Sequence, residues 1–301
     1  MRNIDLHQVD AFTDVLFGGN AAGVVSNAEG LDDETMRHIA REMNLSETAF
    51  VMPPTDPTIA DVRLRFFTPP GDEIKFCGHA TVGALAALAI HNKYSLGQEG
   101  ASNVAVETQA GILPMVVTNA EGAHPAVTFT APAVELEPYR LQGADFAQQF
   151  GVDPALLAKD AAIMRDTNLN YVYIPTTGLD LLGKQQFDYT RVRSVFGEEG
   201  VVVFCFFTNE SIDGKADLHA RGLAPNVGVD EDPFTGSMQA GLVHAAKASG
   251  YIDSGKRQIT TQQGHFMGRP GFANIEHNTE TNELRVTASA VPVFSTTMEI
   301  K

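Results

Sequence analysis

Three short segments contain the residues whose types and spacing could perform chemistry. The first is Lys75–Thr81, in which Cys77, Gly78 and His79 precede an apolar run. A glycine permits a sharp turn into a helix, and the first turn of a helix offers unpaired N–H groups and partial positive charge that can bind a carboxylate. His79 could donate to that carboxylate or carry a proton. A structural role, with His79 in a helix cap and Cys77 in the core, fits the same residues.

The second segment, Glu231–Ser237, also combines charge with a helix start. Asp232 lies in a loop that leads to Gly236 and Ser237, the first residues of another apolar run. The acidic residues could simply complement the dipole of the following helix. If the two helix starts meet, however, they could bind a small acid by its carboxylate and stabilise negative charge that develops on enolisation.

The third segment, Asn44–Val51, places a carboxylate next to apolar residues. Glu47 comes shortly before Ala49, Phe50 and Val51. A carboxylate partly withdrawn from water takes up a proton more readily than an exposed one, which suits a general acid and base near neutral pH. A solvated glutamate at the junction of a loop and a strand is the alternative interpretation.

Hydrophobic periodicity indicates the elements that must position these segments. LDDETMRHIAREMN has apolar residues at helical spacing behind two aspartates and predicts an amphipathic helix. Gly78–Ile90 and Gly236–Ala248 are apolar on nearly every side, which predicts two helices surrounded by core. The predicted strands are IDLHQVDAF, ETAFVM, DVRLRFFT and VVVFCFF, followed by GFANIEH, NELRVTASA and VPVFSTTMEI, the last of which could return to the first half.

Ordered internal matches indicate that the chain is a duplication. Two copies of one fold are expected, each with several strands around a central apolar helix, and a ligand site is expected between them. The predicted domains are residues 1–130 with a C-terminal strand at about 288–301, and residues 131–287. The matches are DVRLRFFTPPG with DLHARGLAPNV at an offset of 156, GHATVGALAA with GSMQAGLVHA at 158, and VETQAG with ITTQQG at 153.

Composition excludes several classes of function. The 301 residues include 21 Lys and Arg against 37 Asp and Glu, a net charge of −16, which argues against nucleic acid and anionic membranes as partners. Two cysteines, no apolar leader and no apolar run long enough to span a bilayer predict a cytoplasmic protein. The absence of P-loop, GxGxxG, HExxH and GxSxG motifs predicts no nucleotide cofactor, no metal and no serine nucleophile.

Five segments, in one order along nearly the whole chain, together carry a family resemblance. They are VDAFTDVLFGGNAAGVV, REMNLSETAFV, RFFTPPGDEIKFCGHATVGALAAL, DEDPFTGSMQAGL and QQGHFMGRPG. In these segments the chain resembles the phenazine-biosynthesis (PhzF-like) isomerase family. The resemblance implies the diaminopimelate-epimerase-like fold of the α+β class, with two duplicated domains, each a curved, mostly antiparallel sheet wrapped around a central apolar helix.

The same resemblance implies an activity and a set of site residues. It implies a homodimeric isomerase that needs no cofactor and moves a proton within a small acidic metabolite. Glu47, in SETAF, is implied as the proton shuttle, with His79 in GHAT and Asp232 in EDPFTGS as further catalytic residues. The residues expected to line the substrate are Asn20, Cys77, Gly78, Gly236 and Ser237.

Cys77 leaves a second mechanism open. Related racemases and epimerases of this fold use two cysteines, one in each domain, on opposite faces of a carbon atom. Cys77 stands at the first of these positions, but Thr235 stands at the second, and Cys205 lies in a predicted strand. An amino-acid or hydroxy-acid epimerase in which Glu47 or Asp232 opposes Cys77 is therefore one alternative. A non-catalytic protein that binds a metabolite or a partner is the other.

Overall fold

The chain folds into two compact units. The structure, a computed structural model, describes residues 1–300. The first unit contains Met1–Thr130 and the chain from Thr287 onward, and the second contains Ala131–Val286. Among residues 1–300, no helix has both the length and the apolar character needed to cross a membrane.

Seventeen strands and six α-helices form from residues 1–300. Those up to residue 130 are β1 (Arg2–Ala11), β2 (Asn20–Val25), α1 (Asp33–Met43), β3 (Thr48–Met52), β4 (Val62–Phe67), β5 (Glu73–Ile74), α2 (Gly78–Ile90), β6 (Gly100–Thr108), β7 (Gly111–Asn119) and β8 (Ala126–Thr130). Those that follow are β9 (Leu136–Pro138), α3 (Gly143–Phe150), β10 (Met164–Asp166), β11 (Tyr171–Pro175), α4 (Leu179–Lys184), α5 (Tyr189–Phe196), β12 (Val203–Thr208), β13 (Leu218–Ala224), β14 (Val229–Asp232), α6 (Gln239–Ala248), β15 (Gln258–Gln263), β16 (Gly271–Asn278) and β17 (Glu283–Ile300).

Helix α2 is the centre of the first unit because its sequence is apolar on every side. Every residue from His79 to Ala89 is buried, and the helix packs against β1, β2, β3, β7 and β8. At Gly83 the helix comes close to the sheet, since an added Cβ would lie 3.3 Å from the Cβ of Ala22 and 3.6 Å from that of Val9. The predicted buried helix is confirmed, with the predicted bounds.

Helix α1 packs on the sheet of the first unit through one apolar face. The Asp32 carboxylate caps the helix by accepting a hydrogen bond of 2.8 Å from the N–H of Thr35. Met36 and Ile39 are buried in a cluster that includes Phe50 of β3. The spacing of the apolar residues thus predicted both the helix and the face that it buries.

The strand pairings of the two units repeat each other. In the first unit β1–β2, β3–β4, β4–β5 and β6–β7 are antiparallel, whereas β2–β3 and β4–β6 are parallel. From β10 to β16 the second unit has the same six pairings in the same order, with β11–β12 and β13–β15 parallel. The predicted duplication of a mostly antiparallel sheet with a central apolar helix is therefore confirmed.

A largely buried ion pair is also duplicated. Arg65 of β4 donates from Nε and Nη2 to the two carboxylate oxygens of Glu73 at 2.7 and 2.8 Å. Arg221 of β13 does the same to Glu231 at 2.8 and 2.7 Å. The paired arginines stand at the offset of 156 residues that the sequence predicted.

One of the predicted matches is wrong by two residues. The carboxylate of Asp61 accepts the N–H of Ala105 at 2.7 Å, and that of Asp217 accepts the N–H of Thr260 at 3.0 Å. Residue 105 therefore corresponds to residue 260, an offset of 155 instead of 153. The sequence match aligned two turn glycines, Gly111 after β6 and Gly264 after β15, which both have positive φ. It did not align the residues of the paired strands.

Two predicted elements differ in detail. The helix predicted from Gly236 begins with a tighter 3-10 turn, Gly236–Met238, before α6. NELRVTASA and VPVFSTTMEI form the single strand β17, which pairs with β1 from Ala290 to Ile300. The strand continues through Pro292, which pairs with Val9, because the register shifts by one residue just after it, and a bulge beside a proline tolerates the missing N–H donor.

Candidate active site

The N-terminus of helix α2 presents backbone N–H groups beside open space. Cys77 precedes the helix in an extended conformation, and no side chain caps it. Thr81 stabilises the turn by donating to the Cys77 carbonyl from its N–H at 3.0 Å and from its hydroxyl at 2.8 Å. A Cβ built on Gly78 would meet no other segment of residues 1–300 within 4 Å. This geometry suits the binding of a carboxylate.

The carboxylate of Glu47 lies against the ring of His79. Their Oε2 and Nε2 atoms are 3.2 Å apart, and the two side chains are only 17% and 9% exposed. Glu47 immediately precedes β3, and its carbonyl accepts a hydrogen bond of 3.2 Å from the N–H of Gly23 in β2. A Cβ on Gly23 would lie 2.7 Å from the hydroxyl of Thr48, so glycine is what lets β2 approach this point.

Both ring nitrogens of His79 have polar neighbours in the first unit. Nδ1 lies 3.3 Å from Nδ2 of Asn20, at the start of β2, and Nε2 lies 3.2 Å from the hydroxyl of Ser46. If Asn20 donates to Nδ1, the proton of the neutral ring is on Nε2 and faces Glu47. In that tautomer the imidazole aims a donor at the carboxylate of Glu47.

The thiol of Cys77 lies on the same side of the site as Glu47. Its Sγ is 3.5 Å from Oε2 of Glu47 and 3.4 Å from Nδ1 of His79. Two bases that flank a carbon atom must each lie about 3–3.5 Å from it, and hence about 6–7 Å apart. An epimerase in which Glu47 opposes Cys77 does not fit this distance.

The other cysteine contributes no acid or base to this site. Cys205 is fully buried in β12, and burial raises the pKa of its thiol well above the usual range. A two-cysteine racemase would therefore lack its second reactive thiol.

Glu47, Cys77 and His79 also have donor atoms that bind metals. One ligand atom from each lies within 4.8 Å of the others. Oxygen, sulfur and nitrogen are the three donors that Zn²⁺ takes from proteins. No metal site was predicted, because Glu47 comes from a different segment than the other two residues and the spacing of metal motifs is absent.

In the second unit, hydrogen bonds hold Asp232 at the end of β14. Its carboxylate accepts the hydroxyl proton of Thr235 at 2.6 Å. Gln263 donates to the Asp232 carbonyl at 2.7 Å and accepts the N–H of Thr235 at 3.1 Å. Thr235 therefore supports the carboxylate at the position where a second catalytic cysteine was considered.

Ser237 lies in the 3-10 turn that leads into α6. Its hydroxyl is 2.9 Å from the hydroxyl of Tyr171, the first residue of β11. The loop beside this turn depends on Gly264, whose φ is +83° and whose added Cβ would overlap the Arg269 carbonyl and lie 2.5 Å from that of Pro233. The position of Ser237 is thus set by the sheet as well as by the helix.

The predicted site residues form one group in each unit. The sequence analysis did not single out Ser46, Tyr171 and Gln263. Each is of interest only because it contacts a predicted residue, and that contact is visible only in the folded structure. The only signal for Ser46 was its place beside Glu47 in the SETAF segment. The first unit contains Asn20, Glu47, Cys77, Gly78 and His79, and the second contains Asp232, Gly236 and Ser237.

Known proteins resemble the chain over its whole length. Residues 9–296 match the model of the phenazine biosynthesis-like protein family. An uncharacterized isomerase of Clostridium acetobutylicum is 32% identical over 317 residues, which cover 98% of this chain and 97% of that protein. The uncharacterized isomerase YfhB of Bacillus subtilis is 28% identical over 304 residues, and both chains are covered completely.

Solved structures show the same fold. The PhzF-family phenazine biosynthesis protein of Bacillus anthracis superimposes with a TM-score of 0.84 at 26% identity over 100% of both chains. A hydroxyproline epimerase from Agrobacterium vitis, solved with trans-4-hydroxy-L-proline, has a TM-score of 0.63 at 13% identity over 99% of this chain and 91% of that one. The predicted diaminopimelate-epimerase-like fold of the α+β class is confirmed. The chain therefore belongs to the phenazine biosynthesis-like protein family, and it is an isomerase.

Proposed function

We propose that this isomerase moves a proton within a small carboxylate-bearing metabolite without a cofactor, and that Glu47 takes and returns the proton. The observation that carries the proposal is the position of Glu47. Its carboxylate is mostly buried, lies 3.2 Å from His79 and stands near the uncapped N-terminus of α2. A base, a hydrogen-bond donor and a carboxylate-binding helix start are thus neighbours in the first unit.

The proposed reaction begins with the substrate carboxylate at the N-terminus of α2. Glu47 then accepts a proton from a carbon next to an activating group, and the electron pair of the C–H bond moves into that group. The N–H groups of α2 and the ring of His79 stabilise the negative charge that develops. Glu47 returns a proton to a different carbon while the substrate stays bound. Its side chain is 17% exposed, so the proton that it carries exchanges in part with solvent before it is returned.

The proposal gives Asp232 and Ser237 the roles of orienting the substrate and assisting the return of the proton. Their supports favour this assignment, because side chains that act on a substrate must be held in place. Asp232 is held by Thr235, and Ser237 by Tyr171. Replacement of either residue should lower turnover, although the contacts of Glu47 with Cys77 and His79 in the first unit stay intact.

Deuterium exchange tests the proposal even before the substrate is identified. A metabolite extract is incubated with the protein in D₂O, and mass spectrometry identifies compounds that gain one mass unit at carbon. Glu47→Gln keeps the size and hydrogen bonding of the side chain but cannot accept the proton. We expect exchange to fall by about 10²–10⁴-fold, the usual contribution of a general acid or base.

Glu42→Gln is the matched control, because Glu42 lies exposed on helix α1 in the same unit. It should exchange at the wild-type rate. Normal exchange by Glu47→Gln would exclude Glu47 as the shuttle. Binding of a metabolite with neither deuterium uptake nor conversion to an isomer would favour a non-catalytic binding protein instead.

An epimerase assisted by Cys77 is the second candidate. It is favoured by the place of the Cys77 thiol at the N-terminus of α2, where a thiolate is stabilised. Because Cys77 and Glu47 lie 3.5 Å apart on the same side, the acid that opposes the thiol in this mechanism would be Asp232. Its product would differ from the substrate only in configuration at one carbon. Separation of the exchanged compounds on a chiral column distinguishes it from an isomerase that moves a double bond.

A further inference from the structure

We propose that Glu47, Cys77 and His79 form a binding site for Zn²⁺, and that Zn²⁺ bound there inhibits the enzyme. The binding of the ion stands on geometry alone. The inhibition also rests on the proposed function of Glu47 as the proton shuttle. Neither the fold nor the family comparisons assign a metal to these residues.

The three donor atoms already have the spacing of a zinc site. Oε2 of Glu47 lies 3.5 Å from Sγ of Cys77 and 3.2 Å from Nε2 of His79, and Sγ and Nε2 are 3.9 Å apart. Bonds of about 2.0–2.3 Å in a tetrahedral zinc site separate such donors by about 3.3–3.6 Å. The thiol also lies 3.4 Å from Nδ1, so the Cys77 side chain must rotate towards Nε2 before one ion in the plane of the ring can bind all three donors.

The charge and burial of the cluster favour a divalent cation. The thiol gives its proton to solvent when the S–Zn bond forms, so a thiolate, a carboxylate and a neutral imidazole would together balance the charge of Zn²⁺. The Glu47 and His79 side chains are 17% and 9% exposed, and Cys77 is buried. Mixed sulfur and nitrogen donors select zinc over magnesium or calcium, which prefer oxygen alone.

Neighbouring residues also orient the His79 ring and leave the cluster in contact with solvent. Nδ2 of Asn20 lies 3.3 Å from Nδ1 of His79. Zinc at Nε2 requires the ring proton on Nδ1, so the Asn20 amide must turn over and accept that proton with its oxygen. The Glu47 side chain is 17% exposed, so the cluster is in contact with solvent. Three protein ligands leave a fourth position for water, as in zinc sites that are not purely structural.

Bound zinc would occupy the lone pair with which Glu47 accepts the substrate proton. It would also engage His79 and stand in front of the N-terminus of α2. Zinc and catalysis should therefore exclude each other, and a chelator should restore activity.

Metal titration of the full-length chain tests the binding. The protein is treated with EDTA, dialysed, and titrated with ZnCl₂ against a chromophoric chelator. Titration with CoCl₂ then reports a thiolate ligand and tetrahedral geometry by absorption. We expect one ion per chain, and at least about 100-fold weaker binding by Cys77→Ser, since even the loss of outer-shell partners weakens metal sites by about 10–100-fold.

Two further variants keep this test decisive. Cys205→Ala removes the other cysteine and should bind zinc like the wild type, whereas Glu47→Gln should bind more weakly because an amide replaces the carboxylate. Thermal unfolding verifies that each variant is folded. Absence of stoichiometric binding, or undiminished binding by Cys77→Ser, would overturn the site.

The deuterium-exchange assay tests the inhibition separately. Exchange should fall in proportion to zinc occupancy and recover with EDTA. Unchanged or faster exchange at full occupancy would overturn the inhibition. If exchange survives in Glu47→Gln, the proposed function fails, but the zinc titration, which needs no substrate, still decides the metal site.

Discussion

At the residue scale, the central question is which of the neighbouring groups of the first unit carries the proton. Cys77→Ala should keep deuterium exchange within about tenfold of the wild type, because the thiol lies beside Glu47 and Glu47 alone can act as the shuttle. The initial rate of label uptake at one substrate carbon measures this. Cys205→Ala serves as the control for the loss of a thiol elsewhere.

The opposite pattern would identify a different mechanism. If Cys77→Ala abolishes exchange while Glu47→Gln retains it, the thiol is the base, and chiral separation of the product then decides whether the enzyme is an epimerase. Equal losses in both variants would show that the thiol and the carboxylate, 3.5 Å apart, act as one unit.

The sequence singled out Glu47, Cys77 and His79 as candidates but did not predict their contacts. Glu47 and His79 could be recognised because each lies in a short segment with a chemical reason for its residue types. Their contact of 3.2 Å could not, because it depends on how β3 and α2 pack. Ser46 and Gln263 escaped notice for the same reason, since their roles come from hydrogen bonds across the fold.

At the scale of elements, substitution by alanine should have different effects on the free energy of unfolding at two glycines of the central helices. A Cβ at Gly241 of α6 would overlap the hydroxyl of Tyr173, a fully buried side chain of β11. Gly241→Ala should lower the free energy of unfolding by about 1–3 kcal/mol or more, as overpacking does. Urea denaturation measures the change.

Gly78→Ala is the matched control, since its Cβ would enter open space. Its free energy of unfolding should stay within about 1 kcal/mol of the wild type, or rise slightly through loss of freedom in the unfolded chain. Its added methyl group should nevertheless weaken substrate binding at the start of α2. A Gly241→Ala variant as stable as Gly78→Ala would contradict the close approach of α6 to β11.

The duplicated ion pairs should differ in strength. The side chains of Arg221 and Glu231 are only 9% and 8% exposed, and Glu231→Gln leaves the guanidinium without a carboxylate in its pair. In the other copy, Arg65 also binds Asp33 at 2.9 Å and keeps that partner in Glu73→Gln. Breaking a buried pair costs about 3–5 kcal/mol, so Glu231→Gln should destabilise the protein more than Glu73→Gln in urea denaturation.

Sequence periodicity predicted elements best where a single physical pattern dominates. Helix α2 is apolar on every side, and its predicted and observed bounds agree. Strand β17 was predicted as two strands, because the effect of Pro292 depends on the bulge opposite Gln8 and Val9 of another strand. A bulge is a property of a strand pair, and one strand's sequence does not reveal it.

At the scale of the whole molecule, the duplication was visible because both copies retain the residues that fix their strands. Asp61 and Asp217 anchor neighbouring strands through the same type of hydrogen bond. The exact register was not visible, since turn glycines recur in the sequence at a slightly different offset. The net charge of −16 is consistent with a small acidic substrate, because helix N-termini provide local positive potential in an acidic protein.

Three histidines distributed over both units link the stability of the molecule to pH. Burial is the main cause that lowers the pKa of His7, His219 and His244 to about 4. In the unfolded chain a histidine titrates near 6.5. Between about pH 4 and 6.5, these histidines are protonated in the unfolded chain but neutral in the folded chain. The stabilisation is therefore complete above about pH 6.5 and is lost as the pH falls towards 4.

We expect the free energy of unfolding to fall between about pH 6.5 and 4.5 by up to about 1.4 kcal/mol per pH unit for each such histidine. Urea denaturation across this range measures how steeply the free energy of unfolding depends on pH. His7→Gln should reduce this slope by up to about 1.4 kcal/mol per pH unit, which corresponds to one proton. The hydrogen bond with Lys93 lowers the pKa of Asp5 below its ordinary value of 3.8. Asp5 therefore changes the stability only at more acidic pH and does not contribute to the slope between about pH 6.5 and 4.5. Equal slopes for wild type and variant would show that the pKa of His7 is the same in the folded and the unfolded chain, and that burial does not lower it.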